Sequence, residues 1–258
     1  ALAGDVLARL ITRSLYAAST DATRPNLSGV FIQGGDRQVV FVATDGHRLA
    51  RASRKGGFGG LGKDGMIVPT RALAAVSRAA EEATSPVSIE IAAGRNQAGF
   101  TTQVGEFKVQ ILARLLQGPY PNYDQVIPKN NPRELKVKRL ELLEAVDIVA
   151  SHADNITRQV RFSLAEGKLG VSSATELGAG EHTIVAEFEG EPLEIGYNAA
   201  YLIDILRSLE SDELVFRLNN ALTAGVVEPV VPPGEEPKQA EEDLLCLVMP
   251  LRLPDAAG

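Results

Sequence analysis

One order of elements is written twice along this chain, and that repetition limits its fold more than any single motif. Near the start, Val6-Leu7, Leu10-Ile11, Leu15 and Ala18 recur at helical spacing. Asp5 suits the N-cap or the first turn of that helix. Leu27–Ile32, a turn at Gly34-Gly35-Asp36 and Val39–Val42 then read as a hairpin. Later, Leu140, Leu143, Val146 and Ala150 mark a helix, followed by Val160–Leu164, a turn at Glu166-Gly167-Lys168 and Leu169–Ser172. Ala18-Ser19 before the first hairpin answers to Ala150-Ser151 before the second. Each half then has a short strand (Met66–Val68, Leu193–Ile195) and a second helix, near Thr70–Glu82 and Asn198–Leu209, with Thr70 and Asn198 as N-caps. Further strands follow at Val87–Ala92, Ala98–Thr102 and Phe107–Leu112, and at Leu214–Leu218, Val226–Glu228 and Leu244–Val248.

The expected class is therefore α+β, with two repeated domains, each carrying two helices packed on mostly antiparallel sheets. The boundary falls in Gln117–Arg133, where Pro119, Pro121, Pro128 and Pro132 stop helices and ladders alike. It divides the chain into domains at 1–125 and 126–258. Pro229–Asp243, rich in Pro and Glu, reads as a loop.

With 258 residues, 45% of them hydrophobic, the chain can bury one large core or two medium ones. No apolar run reaches the roughly eighteen residues of a membrane span. The start has no basic n-region, so it is not a secretory signal, and it lacks Met, so a fragment or processed product is expected. A single cysteine, Cys246, excludes an internal disulfide and fits a reducing cytoplasm. Net charge is −7, which counts against ordinary duplex groove readers but not against a protein that segregates its charge. Trp is absent and aromatics are 5%, which disfavours a stacking platform for single strands.

Gly57–Lys63 matches the first part of a phosphate-binding loop, but Asp64 stands where Ser or Thr should hold magnesium, and a strand rather than a helix follows. A nucleotide-binding enzyme using that loop is the weaker alternative. Asp45-Gly46 reads as a tight turn, with Asp bonding local backbone and Gly at positive φ. His47, His152 and His182 are scattered and no nucleophile sits in a recognisable elbow, so no catalytic residue, metal or cofactor is expected. Arg9 and Arg13 share a helix face away from Val6 and Leu10. Arg71 and Arg78 flank the second helix, Lys136, Lys138 and Arg139 open the third, and Arg207 lies on the fourth. Most such faces are simply solvated; a basic surface facing phosphates is the functional reading.

Thr23–Val30, Ala43–Ala50, Pro121-Asn122-Tyr123 with Val126-Ile127-Pro128, Ile195–Asn198 and Met249–Leu253 together resemble the bacterial DNA polymerase III beta subunit, the replicative sliding clamp, in the order that family shows. The resemblance spans essentially the whole chain and matches the family's second and third domains, so its first domain is expected to be missing here. It implies a non-enzymatic, cytoplasmic processivity factor. In that family helices line a hole and face duplex DNA without reading bases, and two protomers close a homodimeric ring. The DNA-facing set carried over is Arg9, Arg13, Arg24, Arg71, Arg78, Lys136, Lys138, Arg139 and Arg207. Partners are the polymerase III alpha subunit, the clamp loader, other polymerases and repair proteins, which dock a short linear peptide in an apolar pocket. The resemblance puts that pocket at Arg24, Leu27, Thr44, Gly46, His47, Leu49, Pro121, Val126, Leu222, Leu247, Met249, Pro250, Leu251 and Arg252. Met adapts to varied ligands, and His47 and Arg252 can orient a peptide by hydrogen bonds. Gln125 stands where many relatives carry Arg, Ala224-Gly225 replaces a Ser/Pro-type pair, and Pro254–Gly258 extends past the family's usual end. A peptide-binding scaffold without DNA contact would share the pocket.

Overall fold

The helical spacing at the start of the chain becomes α1 (Gly4–Leu15) in the computed structural model, which describes residues 1–56, 61–62, 64–175, 178–230 and 242–253. Val6, Leu7, Leu10 and Ile11 are buried on one arc of this helix. Asp5 lies in the first turn, where a carboxylate meets the positive end of the helix dipole, and accepts a hydrogen bond from Arg9 Nη1 at 3.0 Å. The N-cap is Ala3, without a side-chain bond, so Asp5 acts through charge rather than as the cap.

The chain divides into two compact units between Asn122 and Tyr123, inside the proline-bearing stretch. In the first, a 3-10 turn at Pro25–Leu27 leads into β1 (Gly29–Gly34), β2 (Gln38–Thr44), β3 (Arg48–Lys55), β4 (Met66–Pro69) and α2 (Thr70–Glu81). These strands form an antiparallel run ordered β3-β2-β1-β4. A second sheet holds β5 (Ser88–Ile91), β6 (Gln97–Val104) and β7 (Phe107–Arg114) in chain order. α1 packs on α2, β2 and β3. Backbones approach closely there: a Cβ on Gly4 would stand 2.3 Å from Ala80 O.

The second unit holds β8 (Arg133–Lys138), α3 (Arg139–Ala150), β9 (Gln159–Ala165), β10 (Lys168–Thr175), β11 (Gly178–Val185), β12 (Glu187–Phe188), β13 (Leu193–Asn198), α4 (Ala199–Ser208), β14 (Glu213–Leu218), β15 (Gly225–Pro229) and, from Leu245 on, β16 (Glu242–Val248). One sheet runs β11-β10-β9-β13, which repeats β3-β2-β1-β4 place for place. The repeat seen in the apolar spacing is thus a repeat in topology. A further antiparallel run is ordered β12-β8-β14-β15-β16.

Several local expectations are corrected. Thr70 is the first residue of α2, and Pro69 caps it, with φ already fixed at −58° and no side-chain bond to offer. Asn198 does cap α4, accepting from the N–H groups of Ala200 (2.9 Å) and Tyr201 (3.3 Å). Lys136 and Lys138 belong to β8, not to α3; only Arg139 opens that helix. Arg13 is buried at 8% exposure, because the packed arc of α1 is wide enough to include it, so it does not share a solvated face with Arg9.

The second unit's core is centred on Phe162, whose ring meets Tyr197 edge-on at 5.4 Å and Phe216 at 6.1 Å. All three are fully buried. Among the described residues the Tyr197 hydroxyl has no hydrogen-bond partner, and an unmatched buried hydroxyl costs on the order of 1–3 kcal/mol. Burial also raises its pKa far above the ordinary value. The unfolded chain releases this proton near pH 10 while the fold retains it, so stability is intact below about pH 10 and is lost as pH rises beyond it. Tyr197→Phe is therefore expected to raise urea-unfolding stability by about 1 kcal/mol at pH 7 and to lessen the loss above pH 10. Lower stability at pH 7 would show the hydroxyl to be satisfied.

Candidate functional site

In the first unit the expected site residues converge on the turn between β2 and β3. Gly46 sits at φ 92°, a backbone conformation that other residues adopt only with strain. Asp45 Oδ1 accepts from the N–H groups of His47 (2.8 Å) and Arg48 (3.0 Å), and its Oδ2 accepts from Arg48 Nε at 3.1 Å. Thr44 Oγ1 donates to Arg48 O at 2.6 Å and accepts from Gly46 N–H at 3.1 Å. Each polar group of the turn named here is thus occupied, and Gly46 and His47 are left exposed at its tip. Leu27 and Leu49 are buried (7% and 1% exposed), so neither offers a contact face to solvent. Thr44 is half-buried and Pro121 exposed. Arg24 Nε donates to Asp21 Oδ2 at 3.0 Å. Hydrogen bonds from the Thr23 hydroxyl and N–H, with Arg24 behind them, hold the Asp21 carboxyl below the usual carboxylate range.

In the second unit Met249, Pro250, Leu251 and Arg252 lie on the segment after β16, and Leu247 within β16 itself. Leu251 N–H donates to Gly196 O at 2.8 Å, and Gln159 Nε2 donates to Arg252 O at 2.9 Å. These bonds lay Met249–Leu253 along β13. Leu247 is buried, Pro250 and Leu251 are half-buried, and Arg252 is exposed. Met249 (41%), Val126 (57%) and Leu222 (67%) are the large apolar groups left open to solvent here. A turn at Asn220, whose Oδ1 accepts from Leu222 N–H at 2.8 Å, presents Leu222. Two cavities lie away from these residues. One of about 150 Å³ is lined by Phe31, Arg95 and Tyr120 among others. The other, of about 350 Å³, lies by α3 and α4 and is lined by Asp147, Asp154, Arg158, Asp204 and Arg207 among others.

The cations are less uniform than the spacing implied. Arg71, Arg78 and Arg207 are exposed. Arg9 pairs with Asp5, Lys136 with Glu187 at 3.6 Å and Lys138 with Glu141 at 3.0 Å. Exposed pairs of this kind are weak, about 0–1 kcal/mol, and an incoming polyanion can displace them. Arg139 is spent on structure, donating to Ser211 O and Leu206 O. α3 exposes Glu144 and Asp147 rather than cations. Sequence reasoning missed Arg158, at φ 49° beside α4, and the role of Arg48 in holding the turn. Of Gly57–Lys63, residues 57–60 and 63 lie outside the described residues. Among the described residues no group of three or more His, Cys, Asp or Glu is placed to hold a metal ion, and no helix is long and apolar enough to cross a membrane.

A module of one helix, a four-stranded antiparallel run and a second helix, made twice with the same strand order, defines a tandem-repeat α+β protein of the clamp-domain class. The profile of the DNA polymerase III beta subunit central domain matches residues 1–122, and that of the C-terminal domain matches residues 124–237. The chain belongs to the DNA polymerase III beta subunit family. The beta sliding clamp of Caulobacter vibrioides (strain NA1000 / CB15N) is 30% identical over 233 residues, covering 88% of this chain and 61% of the relative. That of Synechococcus elongatus is 31% identical over 256 residues, covering 98% of this chain and 65% of the relative. The crystal structure of a sliding clamp from Bartonella birtlesii bound to griselimycin superposes with a TM-score of 0.87 at 30% identity, over 98% of this chain and 65% of that one. The chain thus spans less than two thirds of the length of these relatives.

Proposed function

We propose that this chain serves as the central and C-terminal part of a DNA sliding clamp, a cytoplasmic accessory subunit without catalysis of its own. It tethers the replicative polymerase to duplex DNA and gives other DNA-processing proteins a docking point. The observation that carries the reading is the pairing of the family's fold with two pre-shaped recognition elements. One is the fully bonded Thr44–Arg48 turn, and the other is the Met249–Arg252 segment pinned to β13. On this reading both elements, with the exposed Val126 and Leu222, serve the docking of a linear peptide. Tethering acts by raising the local concentration of the partner at the primer end. Arg71, Arg78 and Arg207 supply sequence-independent contacts to phosphate, with Lys136 and Lys138 exchanging their carboxylate partners for DNA. Ring closure into a homodimer requires the family's first domain.

Related clamps from Bartonella birtlesii and Pseudomonas aeruginosa have been crystallised bound to griselimycin, so that compound is the direct probe. Fluorescence titration is expected to show this chain binding griselimycin and a peptide copying the C-terminal tail of a polymerase III alpha subunit, each competing with the other. Met249→Ala combined with Leu222→Ala removes two solvent-exposed apolar anchors of the second unit and should weaken the peptide by about tenfold or more. Both side chains are solvent-exposed, so the fold should be untouched. Unchanged affinity in the double variant would reject the pocket.

A further inference from the structure

We propose that Arg48 is a positioning residue for the peptide site, acting through the turn and not by touching the peptide; the inference rests on the functional reading above. Its side chain is 11% exposed and directed into the first unit. Three groups meet it there. Asp45 Oδ2 accepts from Nε at 3.1 Å, Tyr16 O accepts from Nη2 at 2.8 Å, and the Tyr16 ring lies under the guanidinium at 5.4 Å. Tyr16 is the C-cap of α1, so its carbonyl is among those the helix leaves without an internal partner. A cation at this place also meets the negative end of the helix dipole. One side chain therefore ties the carboxylate that organises the turn to the end of a buried helix.

The consequence is for Gly46 and His47, which are exposed and would otherwise be mobile at a hairpin tip. Asp45 organises both following amides through Oδ1, but it can do so only while its other oxygen is satisfied, because its side chain is 14% exposed. Removing Arg48 leaves a nearly buried carboxylate without its cation, and the turn escapes that cost by opening. A binding-competent turn that is only fractionally populated lowers apparent affinity by that fraction. Arginine is required rather than lysine. The planar fork reaches the carboxylate and the carbonyl at once and stacks on the ring, whereas an ammonium is a single point.

The test uses the full chain, the fluorescent polymerase-tail peptide, and amide hydrogen exchange read at the turn. Arg48→Met is expected to weaken the peptide about tenfold, with the amides of His47 and residue 48 exchanging faster and the helical circular dichroism unchanged. Arg48→Lys should restore only part of either signal. The loss should be the same at low and high salt, since no charge on the peptide is involved. Asp45→Asn, which keeps an acceptor for both amides but loses the ion pair, should move both readouts in the same direction and serves if Arg48→Met does not fold. Wild-type chain that binds while Arg48→Met binds equally well overturns this inference alone. A defect that disappears at high salt overturns it too, by showing direct contact. Wild-type chain that does not bind the peptide overturns the functional reading, and this inference with it.

Discussion

Gly196→Val should release the Met249–Leu253 segment and weaken peptide binding by about a hundredfold while the fold persists. A Cβ at position 196 would lie 2.7 Å from Leu251 O, 2.9 Å from Gln159 Nε2 and 3.0 Å from Leu253 Cδ2. Something must move. Gly196 sits within β13, whose pairing with β9 runs from Leu193↔Leu164 to Asn198↔Gln159, and the neighbouring Ile195 and Tyr197 are buried. The segment after β16 is held on this side by the Leu251 N–H bond and the Gln159 side chain, so it yields first. Losing two hydrogen bonds of about 0.5–1.5 kcal/mol each, together with the ordering of Met249 and Pro250, gives that hundredfold loss. Circular dichroism should be unchanged and fluorescence polarisation should register the loss. Affinity within about twofold of wild type would show that peptide recognition does not need this segment in place.

The largest effect on stability is expected at Phe162. Truncation to Ala removes the ring that meets both Tyr197 and Phe216, at a site with no solvent exposure. Large-to-small changes of this kind cost about 3–5 kcal/mol, the transfer of the lost atoms plus the cavity left behind. Its neighbours are pinned: Phe162 pairs with Val171 on one side and Ile195 on the other, so the sheet cannot collapse into the gap. Urea unfolding should show the transition of the second unit moving to much lower denaturant. A shift worth less than about 1 kcal/mol would mean that the core relaxes around the missing ring.

The repeat was legible because helices and hairpins announce themselves by period. Val6, Leu10, Leu140 and Val146 recur at helical spacing, and the alternation around Val160–Leu164 becomes β9. What was not legible lacked that signal. β11 begins Gly178-Ala179-Gly180-Glu181 and takes its form from the ladder with β10, which runs from Lys168↔Val185 to Thr175↔Gly178. β12 has two residues, and β8 alternates charge with only Leu135 and Val137 buried. Thr70 has the chemistry of a cap, but the chain enters α2 one residue earlier, through Pro69. The candidate site divides in the same way. The resemblance supplied Met249, Leu222 and Val126, which are exposed, together with Leu27, Leu49 and Leu247, and it could not tell that these last three are buried. Spacing also set Arg13 beside Arg9, and only packing shows the one buried and the other half open. Arg48 stands in the Ala43–Ala50 segment, but its role there was not legible, since it depends on a carbonyl thirty-two positions away.

Cys246 pairs with Val227 in the middle of β16, fully buried and three residues before Met249. As the chain's single thiol, it makes the last strand its own stopwatch. An alkylating reagent reaches the sulfur only when the strand lets go, so the labelling rate counts those openings. A ligand that grips Met249 should slow the count in proportion to its grip, without any dye or tag being added to the protein.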